Sequence, residues 1–145
     1  MITKEYNLKK YCCFYVSDFH LEMILLPYIK NNINKSKIII NSQRDLRESI
    51  KLLLERTNLN EEEKNKIYRL NWSNERIEEI YNCEEITLIR IGNNDYITQM
   101  NQNLKNINVK NINIIDCYNI NEENIEIAKI KENYEKVLNT KNLEK

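Results

Sequence analysis

Short apolar runs alternate with amphipathic stretches along most of the chain. The runs are rich in β-branched, aromatic and cysteine residues, and each is too short for a helix. They are Tyr11–Val16, Lys37–Asn41, Glu85–Ile91 and Asn111–Cys117. Between them, apolar residues recur at three- and four-residue spacing, which is typical of helices that cover a sheet. The pattern therefore predicts strands and helices in alternation.

The first strand and helix show this pattern most clearly. Tyr11–Val16 is apolar at successive positions, as in a strand that is buried on both faces, which predicts a central parallel strand. Ser17 and Asp18 are good N-cap residues, so a helix is expected to begin near Phe19. Pro27 lacks a backbone donor and is expected to kink this helix or to end its regular part near Leu26.

Later stretches are harder to assign. Residues Ile67–Trp72 alternate in a way that predicts a short third strand, although some of them also suit the end of a helix. Ser73 and Asn74 are expected to cap a short helix. A closing helix is predicted from about Glu122 to Leu138, because its apolar residues fall at helical spacing.

This alternation predicts a single α/β domain over residues 1–145. We expect a Rossmann-like or flavodoxin-like three-layer fold, with about five mostly parallel strands and helices on both faces. The order 2-1-3-4-5 is the first hypothesis for the sheet. Residues 1–10 are expected to form a lead-in and residues 139–145 a frayed C-terminal tail.

Composition narrows the classes of partner and the compartment. Lys and Arg together number 22, as do Asp and Glu, so the balance of charge does not favour nucleic acid or an anionic membrane. No apolar run approaches the roughly 20 residues that span a bilayer, and no signal peptide is recognisable. The four cysteines include no CxxC pair and there is one histidine, so we expect reduced thiols, a cytoplasmic location and no metal site.

Polar residues follow each predicted strand, and in a parallel sheet they would gather at the carboxyl edge. The candidate ligand-binding residues there are Ser17, Asp18, His20, Ser42, Arg44, Trp72, Ser73, Gly92, Asn93 and Asn94. Because helix N-termini present free backbone donors, we expect an anionic ligand such as a phosphate. Capping of the helices explains the same residues without a ligand.

Motifs of catalysis and cofactor binding are missing. The chain contains neither GxGxxG nor GxxxxGK[ST], so no nucleotide cofactor is expected. Asp18 and His20 are weak candidates for an acid/base pair, and Asp116 is a third weak catalytic candidate. A first-turn histidine is also commonly solvated, Trp72 can pack in the core instead of stacking on a ligand, and Arg44 can be solvated instead of holding an anion.

Three functional hypotheses follow. The first, which we prefer, is a non-catalytic regulatory or sensor domain that binds a small anionic, nucleotide-like ligand at the carboxyl edge. The second is a protein-interaction module, as a homodimer, an inhibitor or an adaptor, that uses the apolar first helix. The third is a small hydrolase or phosphoryl-transfer enzyme built on Asp18 and His20.

Overall fold

The computed structural model describes residues 7–73, 83–102, 109–121, 126–140 and 142–144. The strands are β1 (Asn7–Tyr15), β2 (Lys37–Ser42), β3 (Cys83–Gly92), β4 (Val109–Asn119), β5 (Lys136–Asn139) and β6 (Asn142–Glu144). The helices are α1 (Asp18–Asn32), α2 (Arg47–Glu55), α3 (Glu61–Tyr68), α4 (Asn94–Gln102) and α5 (Ile127–Lys131). Strand and helix alternate over most of this length, as the sequence predicts.

The strands form one sheet in the order β2-β3-β4-β1-β5-β6. Strands β1 to β5 run parallel, and β6 pairs antiparallel with β5. The predicted order 2-1-3-4-5 is wrong, because β1 lies between β4 and β5. Apolar character on both faces identifies β1 as an interior strand, but it does not encode which strands flank it.

Helices cover both faces of the sheet, which confirms the predicted three-layer α/β class. Helices α1, α2 and α3 pack on one face in the larger apolar core, which contains Leu25, Ile50 and Ile67. On the other face, α4 packs through Ile97 against Cys12 and Tyr118. Residues next to each other in a strand therefore enter different cores.

The third strand predicted at Ile67–Trp72 does not form. Ile67 and Tyr68 end α3, whose capping box joins Asn60 to Glu63 at its start. Ile67 is buried whereas Tyr68 is exposed, so the apparent alternation does not describe two covered strand faces. The helix predicted after Ser73 lies outside the described residues.

The C-terminal segment also differs from its prediction. A helix was expected from Glu122 to Leu138, but within the described residues only α5 is helical there. Val137 and Leu138 belong instead to β5, where they pair with Cys12 and Cys13 of β1. The open side of β1 needs a partner for its backbone groups, and this requirement outweighs the helical spacing. Residues 142–144 lie within the range expected to fray and pair with β5. Strand β1 begins at Asn7, within the expected lead-in.

Helix α1 begins and continues through simple local contacts. The Ser17 hydroxyl accepts a hydrogen bond from the His20 backbone N–H at 3.1 Å, as an N-cap does. The helix continues through Pro27 to Asn32, so it does not end near Leu26. It thus runs from the carboxyl edge of the sheet towards the amino edge.

Gly92 allows two chain segments to meet at the end of β3. A Cβ atom at this position would lie 2.7 Å from Tyr96 Cδ2 and 2.8 Å from Gln43 Oε1, and its φ is outside the left-handed range. Close approach, and not an unusual backbone angle, therefore explains the glycine. The Gln43 side chain uses this space to accept a hydrogen bond from the Asn93 N–H at 2.9 Å.

We predict that Gly92→Ala lowers the free energy of unfolding by about 1–3 kcal/mol, because the added methyl group displaces Gln43 and Tyr96. Urea denaturation measures the change. Asn94→Ala at the same junction is the control, since Asn94 is exposed and its replacement adds no atom to the contact. Equal stability of Gly92→Ala and the unsubstituted chain would contradict this explanation.

Candidate functional site

Asp18 and Arg44 form an ion pair at the carboxyl edge of the sheet. The guanidinium donates two hydrogen bonds to the carboxylate, at 2.9 Å to Oδ1 and 2.7 Å to Oδ2. Asp18 opens α1 and Arg44 follows β2, so the pair joins two junctions that the sequence identified separately. Because Arg44 is bound by Asp18, its charge is largely committed within the chain.

His20 is held by the backbone at the same edge. Its Nδ1 accepts a hydrogen bond from the Val16 N–H at 3.0 Å. A ring nitrogen that accepts carries no proton, so neutral His20 has its proton on Nε2. Asp18 binds Arg44 and makes no hydrogen bond to His20, so the two residues do not form the predicted acid/base arrangement.

The junctions after β2 and β3 satisfy their own backbone groups. The Ser42 hydroxyl donates to the Arg44 carbonyl at 2.6 Å. Asn93 caps α4, because its Oδ1 accepts from the Tyr96 N–H at 2.8 Å. Asn94 is exposed in the first turn of that helix. The backbone N–H groups of Arg44 and Tyr96 thus already have side-chain acceptors, in Ser42 and Asn93.

Trp72 and Ser73 lie beneath the surface. Trp72 is 1% exposed, and its indole N–H donates to the Ile67 carbonyl at 2.8 Å. Its carbonyl in turn accepts from the Leu46 N–H, which fixes the loop before α2. Ser73 is also buried and bonds to the Asn71 side chain. Trp72 therefore offers no ring face for stacking on a ligand in this conformation.

Asp116 belongs to a buried polar network on the α4–α5 face. Arg90 donates to its carboxylate through Nε at 2.5 Å and Nη2 at 2.7 Å, and both side chains are at most 1% exposed. The Tyr134 hydroxyl donates to Asp116 Oδ2 at 2.5 Å, so Tyr118, 2.6 Å from Tyr134, donates to Tyr134. The network joins β3, β4 and the segment before β5.

Burial and the nearby carboxylate keep these tyrosines protonated. Desolvation and the charge of Asp116 raise the pKa of Tyr134 well above its usual range. Desolvation chiefly raises the pKa of Tyr118 to about 12, and the charge of Asp116 adds to the rise. Both hydroxyls therefore keep their protons at neutral pH, and that of Tyr134 donates to Asp116. This arrangement is typical of a structural ion pair that needs every partner.

Glu22 is a second buried acid, on the side of α1 that faces α2. Its carboxylate accepts a hydrogen bond from the Ser49 hydroxyl at 2.7 Å, while its other oxygen has no partner. Desolvation raises the pKa of Glu22 to about 7, with a smaller contribution from Asp18 that is opposed by Ser49. The packing of α1 on α2 therefore contains a group that titrates near neutral pH.

Exposed apolar side chains surround the start of α1. Phe19 is 56% exposed, Val16 46%, Met23 43% and Ile120 36%. Phe19 and Met23 lie one turn apart on α1, and the Asn121 amide donates to the Val16 carbonyl at 2.7 Å, which brings the end of β4 alongside. We name these four residues the edge patch; they adjoin Asp18 and Arg44.

Several of these residues were not among the sequence candidates. Arg90 and Glu22 lie in otherwise apolar stretches and Tyr134 in a polar one, and only the strand register and the helix packing reveal their partners. The sequence could have predicted one pair, because Arg90 and Asp116 are residues of opposite charge within apolar strands. The edge patch could not be predicted, because the sequence does not distinguish an apolar residue that is exposed from one that is buried.

Comparisons with known protein families, with curated proteins and with solved structures found no match to this chain. Within the described residues, no group of three or more His, Cys, Asp or Glu side chains could hold a metal ion. In the same part of the chain, no helix is long and apolar enough to cross a membrane. Its function therefore has to be argued from its own geometry.

We predict that Asp116→Asn lowers the free energy of unfolding by about 3–5 kcal/mol, because it leaves the Arg90 guanidinium buried without a counter-charge. Removing both charges, as Arg90→Met with Asp116→Leu, should cost less than Asp116→Asn alone. Chemical denaturation measures both values. Asp45→Asn, which breaks the exposed pair between Asp45 and Arg47, is the control and should leave stability unchanged. A loss at Asp116→Asn no larger than at the control would contradict the assignment.

The raised pKa of Glu22 predicts a dependence of stability on pH. The folded chain holds the proton up to about pH 7, whereas a glutamate in the unfolded chain releases it near 4.5. Stability should therefore fall by up to about 3 kcal/mol as the pH rises from 4.5 to 7. Glu22→Gln should remove this part of the pH dependence, and Glu55→Gln, at an exposed position, should retain it. Identical profiles for both variants, measured by urea unfolding, would contradict the prediction.

Proposed function

We propose that this chain is a non-catalytic regulatory domain that acts through protein contact at the carboxyl edge of its sheet. The observation that carries the proposal is the edge patch. It groups four exposed apolar side chains around the start of α1, and exposed apolar surface of this kind commonly marks a contact surface. Its partner, we infer, is a second copy of this chain.

Phe19 and Met23 make the best-supported contact. The rest of the apolar side of α1, including Leu21, Leu25 and Ile29, is buried in the chain's own core. Only the first turns of α1 thus present large apolar side chains outward beside Val16 and Ile120. The contact surface proposed for the apolar first helix is therefore limited to the N-terminal end of α1.

A second copy is favoured by the charges next to the patch. A twofold interface places the same surface on both sides, so the surface has to complement itself. The Asp18–Arg44 pair at its border is neutral as a unit, so the two copies of the pair would meet across a twofold axis without net charge repulsion. The whole chain has a net charge of zero, so charge repulsion does not oppose the pairing of two copies.

A reaction at this edge has less support. Asp116 is enclosed by Arg90 and Tyr134, so a substrate could reach it only by disrupting that network. His20 presents a protonated Nε2 in its neutral form and so does not offer a base there, and Asp18 is bound by Arg44. These contacts favour binding over the hydrolase or phosphoryl-transfer hypothesis.

An anionic ligand at this edge also has less support than a protein partner. Arg44 is paired, and the first-turn N–H groups of His20 and Tyr96 are capped by Ser17 and Asn93. A phosphate would have to displace these contacts and would lie beside the negative charge of Asp18. A cytoplasmic site of action remains part of the proposal, supported by the unpaired, buried thiols of Cys12, Cys13 and Cys117.

We predict that the unsubstituted chain sediments with twice the mass of one chain, and that Phe19→Ser with Met23→Gln sediments as a monomer. These neutral substitutions remove exposed apolar surface without touching the core, so the fold should persist. Analytical ultracentrifugation over a range of concentrations measures the mass, and circular dichroism checks the fold. Leu52→Gln is the matched control, because Leu52 is an exposed apolar residue on α2 that is not part of the edge patch.

Two outcomes would overturn the proposal. One is a monomer at every concentration for the unsubstituted chain, which would leave a different protein as the occupant of the patch. The other is a dimer that persists in the Phe19 and Met23 variant, since the interface would then lie elsewhere. Charge reversal adds a test: Asp18→Arg alone should weaken the dimer, and Arg44→Asp added to it should restore pairing.

A further inference from the structure

A cavity of about 440 Å³ lies beneath the second half of α1, away from the edge patch. Lys9, Tyr11 and Asn113 line it from the strands, Tyr28 from α1, and Lys35 from the turn that follows this helix. Leu138 of β5 also lines it. The volume falls within the range of roughly 300–1,000 Å³ that is typical of small-molecule sites. Its residues are not among those that the sequence indicated.

A row of polar residues crosses the sheet at this cavity. In the register of the parallel strands, Lys9 of β1 pairs with Asn113 of β4, and Asn113 pairs with Thr87 of β3. Two residues further along β4 and β3, Ile115 and Ile89 occupy the same face and are fully buried. Thr87 is buried, Asn113 is partly buried and Lys9 is exposed, so this polar row leads from the interior of the sheet to its open amino end, where its outer members can face a ligand.

Thr87 has a partner within the chain, whereas none is found for Lys9 or Asn113 among the described residues. The Thr87 hydroxyl is 2.8 Å from that of Ser36, so the two share a hydrogen bond. Within the described residues, no side chain binds the Lys9 amine or the Asn113 amide. Both line the cavity, so their free polar groups are available to a molecule inside it.

Tyr11 provides a second, independent indication of a ligand. It is only 8% exposed, yet no hydrogen bond to its hydroxyl is found within the described part of the chain. Burial raises the pKa of Tyr11, with a contribution from Glu135, so the hydroxyl keeps its proton at neutral pH. The Tyr11 hydroxyl itself is not sealed from the cavity that the residue lines, so it is free to donate to an oxygen of a bound molecule.

The charges of the lining favour an anion. Lys9 and Lys35 carry positive charge and neither is in an ion pair with a described residue, whereas Glu85 is the acidic residue of the lining. Lysine amines bind phosphate oxygens as point charges. The amides of Asn31 and Asn113 and the Tyr11 hydroxyl are suited to hydroxyl groups, and Ile24 offers an apolar contact.

We propose that this cavity binds a sugar phosphate. Lys9 and Lys35 bind its phosphate group, and Tyr11 and Asn113 bind hydroxyl groups of its sugar ring. The site is separate from the edge patch, which lies at the other end of α1, so it does not depend on the proposed contact between copies.

The experiment is calorimetric titration with a panel of hexose and pentose phosphates, with the unphosphorylated sugars and inorganic phosphate as references. We expect at least one sugar phosphate to bind, and to bind more than about tenfold tighter than either reference, because sugar and phosphate each contribute. Lys9→Glu with Lys35→Glu should abolish binding. Lys30→Glu is the matched control, since Lys30 is an exposed lysine of α1 that does not line the cavity.

Tyr11→Phe keeps the charge and the packing and removes only the hydroxyl, so it should fold normally and weaken binding about tenfold. Absence of binding by the whole panel at millimolar concentration would overturn the proposal. So would equal affinity for inorganic phosphate and the sugar phosphates, which would show a phosphate site without a sugar site. Binding that Lys9→Glu with Lys35→Glu leaves unchanged would place the ligand outside this cavity.

Discussion

Burial of the parallel sheet on both faces is the constraint on which the rest of this structure depends. A polar side chain that a strand directs into either core needs a partner, because burial without a hydrogen bond costs free energy. Arg90 and Asp116 meet most of this requirement together, and Tyr134 adds a donor from the segment before β5, while Arg90 Nη1 has no hydrogen-bond partner among the described residues. Their network thus does more than neutralise two charges: it ties adjacent strands in register and fixes the C-terminal segment against them.

Two places at the ends of the sheet carry side chains that the chain's own contacts do not use, and function is to be sought there. At the amino end of the sheet, Lys9, Tyr11 and Asn113 direct polar groups into a cavity without partners among the described residues. At the carboxyl edge the reverse holds, since polar groups are satisfied and apolar side chains such as Phe19 are exposed. Polar groups without partners favour a small polar ligand, and exposed apolar groups favour a protein partner. Helix α1 connects the two regions.

Local pattern predicts the elements of this chain better than their arrangement. Burial on both faces made β1 recognisable as an interior strand, and Ser17 correctly indicated the start of α1. The strand order was predicted wrongly, because the sequence of β1 does not encode that β4 and β5 are the strands beside it. Residues near Val137 fit a helix by spacing and became β5 because β1 needed a partner. The sequence identified Asp18 and Arg44 as separate candidates at the carboxyl edge. It did not identify the roles of Glu22 and Arg90, because these depend on contacts with residues distant in sequence.

Hydrogen exchange at increasing protein concentration tests the central claim, contact between copies at the edge patch, most directly. The first backbone N–H groups of a helix have no partner within it, so those of Asp18 and Phe19 should exchange rapidly in a single chain. We predict that exchange in residues 16–23 slows as concentration rises, whereas exchange around Leu52 does not change. Protection that is independent of concentration at residues 16–23, or that increases only elsewhere, would contradict the account.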